Sequence, residues 1–254
     1  MLFIAELRDL SDGKPVGFKL CIGHAWEFMA ICKAMLETGI RPDFIVIDGS
    51  EGGTGAAPLE FVDHVGTPLR EGLLLAHSCL VGTGLRQSIR LGASGRVVTA
   101  FDIARLLALG ADWCNAARGF MFALGCIQAQ ACHTDRCPTG VTSQNPWRQR
   151  ALVVGDKSAR VCQFHKSTLA ALGELVGAAG LTHPSQLLPI HVLRRISPSE
   201  VKSFAEVYPS LEHRQLLSGT APPHYSQQWE LADARSFAPL TVQAPSAAPV
   251  QSAA

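Results

Sequence analysis

Apolar positions along this chain fall into two spacings that alternate, and the alternation predicts the fold. Residues 17–21 (GFKLC) form a short apolar run after Lys14-Pro15 and read as a strand. Residues 24–38 carry Trp26, Met29, Ala30, Cys32, Ala34 and Leu36 at helical spacing, and Gly39 ends the helix. Residues 43–48 (DFIVID) are continuously apolar between two aspartates, the pattern of a strand covered on both faces in a parallel sheet. A glycine-rich loop follows over 49–58. Residues 66–85 read as a helix opened by Thr67-Pro68, with Glu71 in its first turn. Residues 88–91 predict a short strand and 92–95 a tight loop. Residues 99–109 predict a helix stopped by Gly110, and 112–117 a strand ending at Ala117-Arg118-Gly119.

Strand and helix therefore repeat three times and a fourth strand follows, each connection short. That order requires parallel strands with crossover helices, in a barrel or a doubly wound sheet. An eight-fold barrel takes roughly 250 residues by itself, and the repeat here occupies only 17–119. The expected fold class is α/β with four βα units, half of a (β/α)8 TIM barrel, followed by a helical C-terminal extension. Residues 157–179 predict a further helix with Val161, Phe164, Leu169, Leu172, Leu175 and Val176 as its apolar stripe. Residues 184–209 predict one or two small helices. From Gly219 onward Pro, Ser, Ala and Gln dominate and the periodicity is lost, which predicts a disordered tail. The division expected is 1–180, 181–218 and 219–254.

Composition narrows the partners. A formal net charge of +1 over 254 residues gives no electrostatic reason to expect nucleic acid or an anionic membrane. The most apolar stretch, 72–85, is too short and too interrupted to span a bilayer. The N-terminus lacks a basic region followed by a long apolar run, so no secretory signal is expected. Eight cysteines then read as reduced thiols, with a cytoplasmic location as the default.

The candidate chemistry lies in four places. Gly92, Ser94 and Gly95 follow one strand and Ala117, Arg118 and Gly119 the next, where glycine N–H groups and a guanidinium suit a phosphate; ordinary βα turns also use glycine. The loop bearing Gly49, Glu51, Gly52, Gly53 and Thr54 packs four glycines into seven residues after a buried strand, which favours close approach of a ligand over the alternative of a flexible surface loop. Lys19 sits inside a strand, where packing alone would not select a lysine; it either faces a cofactor or snorkels at the rim. Cys126, Cys132 and Cys137 have the spacing C-x5-C-x4-C with Pro138 after the last. This differs from the paired C-x2–4-C of zinc sites and suits an iron–sulfur cluster, with zinc or no metal as alternatives. The remaining cysteines are isolated and read as small core residues.

The motifs DGSEGGTGAAP, GLR at 84–86, ALGAD at 108–112 and GCIQAQACHTDRCPTGV together resemble the FMN-binding synthase domain of glutamate synthase, over about 14–180. The resemblance implies the C-terminal half of a (β/α)8 barrel with FMN at its mouth. It implies Cys126, Cys132 and Cys137 as ligands of a 3Fe–4S cluster, and Lys19 beside the flavin ring. Gly92, Ser94, Gly95, Ala117, Arg118 and Gly119 match the phosphate site, and Gly49, Gly52, Gly53 and Thr54 match the flavin and substrate side, with Lys19 and Glu51 as candidate catalytic groups. The implied reaction passes electrons from a donor protein or reductase subunit through the cluster to FMN. The reduced flavin then converts 2-iminoglutarate, made from 2-oxoglutarate and ammonia, to L-glutamate. The chain starts Met-Leu-Phe rather than with a nucleophilic cysteine, so no glutamine hydrolysis is expected. Four barrel strands are missing by count, so the chain is expected to be either a fragment of a longer protein or one that a second chain completes; the alternative expectation is a non-catalytic cluster- or flavin-binding half-barrel (fragment or subunit) needing another chain for activity.

Overall fold

A computed structural model describes residues 1–52 and 60–240 of the chain. Its elements are α1 (Leu2–Leu10), β1 (Gly17–Leu20), α2 (Ala25–Thr38), β2 (Phe44–Asp48), α3 (Leu69–Gly82), β3 (Arg90–Ser94), α4 (Ala100–Ala108), β4 (Trp113–Asn115) and α5 (Arg118–Leu124). After them come α6 (Pro146–Gln149), α7 (Val154–Ala178), β5 (Leu193–Ser197), β6 (Glu200–Ser203), α8 (Phe204–Val207), α9 (Gln215–Ser218) and α10 (Pro223–Leu231).

The first four strands pair in parallel in the order β1-β2-β3-β4. Each strand lies beside its predecessor, so the order never reverses; a doubly wound sheet would place its ligand at such a reversal. One face of the sheet is packed. Ile45, Ile47, Leu91 and Ala93 are fully buried in one core with Phe28, Met29, Cys32 and Met35 of α2 and Leu73, Ala76 and Leu80 of α3. Burying each of these isoleucines stabilises the fold by about 1.5–3 kcal/mol.

The helix boundaries follow local chemistry. His24 opens α2 in a capping box with Glu27, and Gly39 closes it at φ +70°. Thr99 and Asp102 form a reciprocal capping box on α4. Below the sheet, Asp112 accepts from the Leu91 N–H at 2.7 Å and from Arg86 at 2.9 Å, tying β3, β4 and the end of α3 together.

Four expectations require correction. Gly92 is a strand residue rather than part of a loop, because the Trp113 ring occupies the place where its side chain would stand: a Cβ there would meet Trp113 Cζ2 at 2.5 Å. Leu169 is half exposed, and the buried stripe of α7 is Leu172 and Val176. The extension over 181–218 holds an antiparallel hairpin, β5–β6, as well as short helices. Leu193 and Val201 of that hairpin stay exposed, so it has no inward-outward alternation to betray it. Within the expected tail, α10 packs on α2: Lys33 lies 4.9 Å over the Trp229 ring and donates to the Ala232 carbonyl at 2.8 Å. Residues 241–254 fall outside the described residues.

His77 accepts from Arg86 Nε at 3.2 Å. Burial, then the Arg86 charge, lowers its pKa from 6.5 to about 4, although Asp112 acts the other way. The unfolded chain therefore takes up a proton that the folded chain refuses between pH 6.5 and 4. This contribution is present in full above pH 6.5 and is lost as pH falls towards 4, by up to about 3 kcal/mol. Chemical denaturation across that window should show the slope in the native sequence and a flatter one in His77→Gln.

Candidate functional site

The face of the sheet opposite the helices ends in polar groups at the C-terminal ends of the strands. Register places Lys19, Val46, Gly92 and Trp113 in one row, and Asp48, Ser94 and Asn115 in the next row toward the rim. Strand alternation puts all of these on the same side. Phe44 meets the Trp113 ring edge-on at 5.9 Å, and Trp113 Nε1 donates to Asn115 Oδ1 at 3.1 Å. Lys19 Nζ stands 2.6 Å from Asp48 Oδ2. The lysine side chain is 54% exposed and the aspartate 17%, so a mostly sheltered carboxylate holds an accessible ammonium. The second oxygen, Asp48 Oδ1, is buried with no hydrogen-bond partner among the described residues. An orphaned oxygen in a polar rim is the kind of group that a ligand satisfies.

The loops beside this pair are pressed together. The Gly49 N–H donates to the Ser94 carbonyl at 2.8 Å, and Gly95 turns away at φ +135° with its Cα face against Gly49. Gly52 leaves room for Asp48, since a Cβ there would lie 2.5 Å from Oδ1. Gly53 and Thr54 lie outside the described residues.

Glu51 is differently placed from a free catalytic carboxylate. Its Oε2 accepts from the Leu69 N–H at 2.9 Å and so serves the start of α3, where Pro68 cannot supply a side-chain cap. Arg118 donates to the Glu51 carbonyl at 3.0 Å, linking the start of α5 to the same loop. Ala117 is the N-cap of α5 and offers no side-chain acceptor to its first turn. Gly119 answers to packing: a Cβ there would meet Phe164 Cζ of α7 at 2.8 Å.

Cys126, Cys132 and Cys137 line one pocket, together with Gln130, Thr139 and Thr142. Among the described residues, no group of three or more His, Cys, Asp or Glu converges closely enough to enclose a metal ion. The donor set nevertheless suits a soft metal centre. Burial alone would push the Cys137 thiol up, but hydrogen bonds from Thr139 and Thr142 outweigh it and bring the pKa down to about 6. Thr139 Oγ1 is 3.5 Å from the sulfur. Thr142 Oγ1 is buried near it without a partner of good hydrogen-bond geometry. The Gln128 N–H points at Cys126 Sγ at 3.4 Å, and N–H contacts of this kind stabilise thiolate sulfur.

Gly140, at φ +77°, closes the cysteine loop against α6; a Cβ there would lie 2.2 Å from the Arg148 carbonyl oxygen. The enclosed thiols Cys32, Cys79 and Cys114 are poor ligands. Burial raises Cys32 beyond the useful range and Cys114 to about 12, the latter also opposed by Asp102.

The structure thus brings Lys19, Gly49, Gly52, Ser94 and Gly95 to one rim and the three cysteines to one pocket. It assigns Gly92 and Gly119 to packing. Sequence reasoning passed over Asp48, although an acid closing the apolar run FIVID at a strand's C-terminal end was a usable signal. It also passed over Thr139 and Thr142, which carry no distinguishing pattern.

A parallel α/β sheet in sequential strand order, with polar groups at the C-terminal ends of the strands, places the chain among βα-repeat folds, which carry their sites at that end. Residues 1–182 match the family model described as the conserved region in glutamate synthase, and the chain belongs to that family. It is 46% identical over 193 residues to the glutamate synthase large subunit-like protein YerD of Bacillus subtilis, a match covering 76% of this chain and 37% of that protein. An archaeal glutamate synthase (NADPH) of Methanocaldococcus jannaschii is 36% identical over 168 residues, covering 66% of this chain and 32% of the relative. A ferredoxin-dependent glutamate synthase of Arabidopsis thaliana is 40% identical over 102 residues, covering 40% and 6%. The chain therefore spans little more than a third, or less, of the length of these relatives. Among solved structures, a mutant flavocytochrome b2 with benzoylformate aligns at a TM-score of 0.45 and 14% identity, covering 73% of this chain and 37% of that one. Among the described residues no helix is long and apolar enough to cross a membrane.

Two variants test these placements. Glu51→Ala should cost about 1–2 kcal/mol in urea denaturation, as loss of a helix cap does. Gly140→Ala should cost about 1–3 kcal/mol, from the left-handed backbone and from the displaced α6.

Proposed function

We propose that this chain forms the FMN- and cluster-bearing part of a glutamate-synthase-like oxidoreductase that reduces 2-iminoglutarate, formed from 2-oxoglutarate and ammonia, to L-glutamate. The observation that carries the reading is the three-cysteine pocket, in which hydrogen bonds favour the thiolate of Cys137. When bound, FMN would supply hydride to the substrate carbon, and a 3Fe–4S cluster would supply electrons to the flavin one at a time.

The chain's own residues have definite parts in this reading. Cys126, Cys132 and Cys137 hold the cluster, and Thr139 stabilises the third sulfur. Lys19 presents a positive charge to the electron-rich edge of the flavin, and Asp48 fixes its position. The loops at Gly49–Gly52 and Ser94–Gly95 lie against the flavin and its phosphate, with Arg118 bracing the first of them through the Glu51 carbonyl. Glu51 acts by capping α3 rather than by transferring protons.

The sequential strand order supports half of a (β/α)8 barrel, its other strands supplied by a further segment or a second chain. In the described sheet β1 and β4 each pair on one side only. That feature favours a second reading of the chain by itself, as a cofactor-binding half-barrel that becomes active only when completed.

Anaerobic expression with iron, followed by a visible spectrum of the fresh protein, tests the proposal. Broad cluster absorption is expected in the native sequence, along with flavin bands, and the cluster absorption should vanish in Cys132→Ser. A colourless native protein, or one containing stoichiometric zinc, would contradict it.

A further inference from the structure

One charge pair stands at the rim, and its two halves lie at different depths. Lys19 Nζ is 2.6 Å from Asp48 Oδ2, and the two side chains are 54% and 17% exposed. Asp48 Oδ1 lies behind Gly52, where a Cβ would come within 2.5 Å of it. A ligand settling on the rim therefore meets the ammonium first, with the carboxylate behind it. The neighbours of Lys19 along its own row are Val46, Gly92 and Trp113, none of them charged.

The other charged groups at this end of the sheet have partners of their own. Glu51 accepts from the Leu69 N–H at 2.9 Å, Arg118 donates to the Glu51 carbonyl at 3.0 Å, and Arg96 pairs with Asp63. Among the described residues Asp48 is the only carboxylate that pairs with Lys19.

The consequence is electrostatic. Opposite unit charges in contact nearly cancel a few ångströms away, whereas a lone ammonium acts at longer range. The rim thus offers a ligand N–H donors with little net charge. Charge held beside a flavin ring sets how readily the flavin takes and gives electrons, because reduction makes the ring more negative. An uncompensated ammonium would stabilise the reduced ring and weaken it as a hydride donor.

We propose that Asp48 offsets the charge of Lys19 at the flavin ring and so keeps the flavin's reduction potential low, which favours hydride transfer to the imine carbon. The inference rests on the flavin reading above and goes beyond it: Asp48 acts through its charge as well as by holding Lys19 in place.

The test uses the full chain, joined to the remaining barrel strands of a relative and saturated with FMN. Sulfite adds to the flavin ring and leaves it negatively charged, so its dissociation constant, read from bleaching of the flavin's visible band, reports the charge nearby. Asp48→Asn keeps an oxygen for the ammonium and removes only the negative charge. It should bind sulfite about tenfold more tightly and raise the flavin's midpoint potential. Lys19→Met leaves the carboxylate uncompensated and should weaken sulfite binding by about tenfold. Asp9→Asn, the same charge change on the exposed side of α1, should leave both readings unaltered. Circular dichroism checks that each variant is folded, and Lys19→Met alters only a half-exposed side chain. Sulfite binding that is unchanged or weaker in Asp48→Asn would overturn the proposal, because Asp48 would then do no more than anchor the lysine. A native protein that takes up no FMN would overturn the flavin reading itself, and the proposal with it.

Discussion

The register of the parallel sheet governs the rest of the structure. Because β1 to β4 pair in order, with Lys19 opposite Val46 and Asp48 opposite Ser94, the helices gather on one face and the polar rim forms on the other. A one-residue slip in β2 would send Asp48 into the core of Ile45 and Ile47 and expose those isoleucines at the rim. The core therefore fixes the register, and the register fixes the distance between Lys19 and Asp48. The Lys19–Asp48 pair is a by-product of hydrophobic packing on the far side of the same strand.

The two candidate centres are built differently. The rim depends on close approach of backbones, which explains its glycines: Gly52 clears space for Asp48, and Gly95 lets one loop lie on Gly49. The cysteine pocket depends on hydrogen bonding to sulfur. Hydroxyls and N–H groups offset the burial that raises the other enclosed thiols, Cys32, Cys79 and Cys114. The same residue type is thus a core filler at three strongly enclosed positions, while at a fourth, less enclosed one, hydrogen bonds from Thr139 and Thr142 bring the thiol down to about 6.

Much of this was legible in the sequence. The runs GFKLC and DFIVID located the first two parallel strands, because continuous apolar runs report burial directly, and the short stretches 88–91 and 112–117 marked the neighbourhood of the other two. The cysteine segment stood out by its spacing, and the structure gathers its three thiols around one pocket. What stayed illegible depended on partners distant in the chain. Gly92 looked like a loop glycine until Trp113, twenty-one residues later, was seen to fill its side-chain space. The tail helix α10 has only Tyr225 and Trp229 packed against the core, too sparse a stripe to register as periodicity. The hydrogen bond from the Leu69 N–H to Glu51 stayed illegible too, since its donor is a backbone group that no pattern reports.

The central claim is that the Lys19–Asp48 rim is a flavin site. It is tested most directly by titrating the chain, supplied with the remaining barrel strands from a relative, into FMN and following flavin fluorescence. Saturable quenching that is at least about tenfold weaker in Lys19→Ala than in the native sequence, as expected for loss of a sheltered charge contact, would support the account. Equal quenching by both proteins would contradict it.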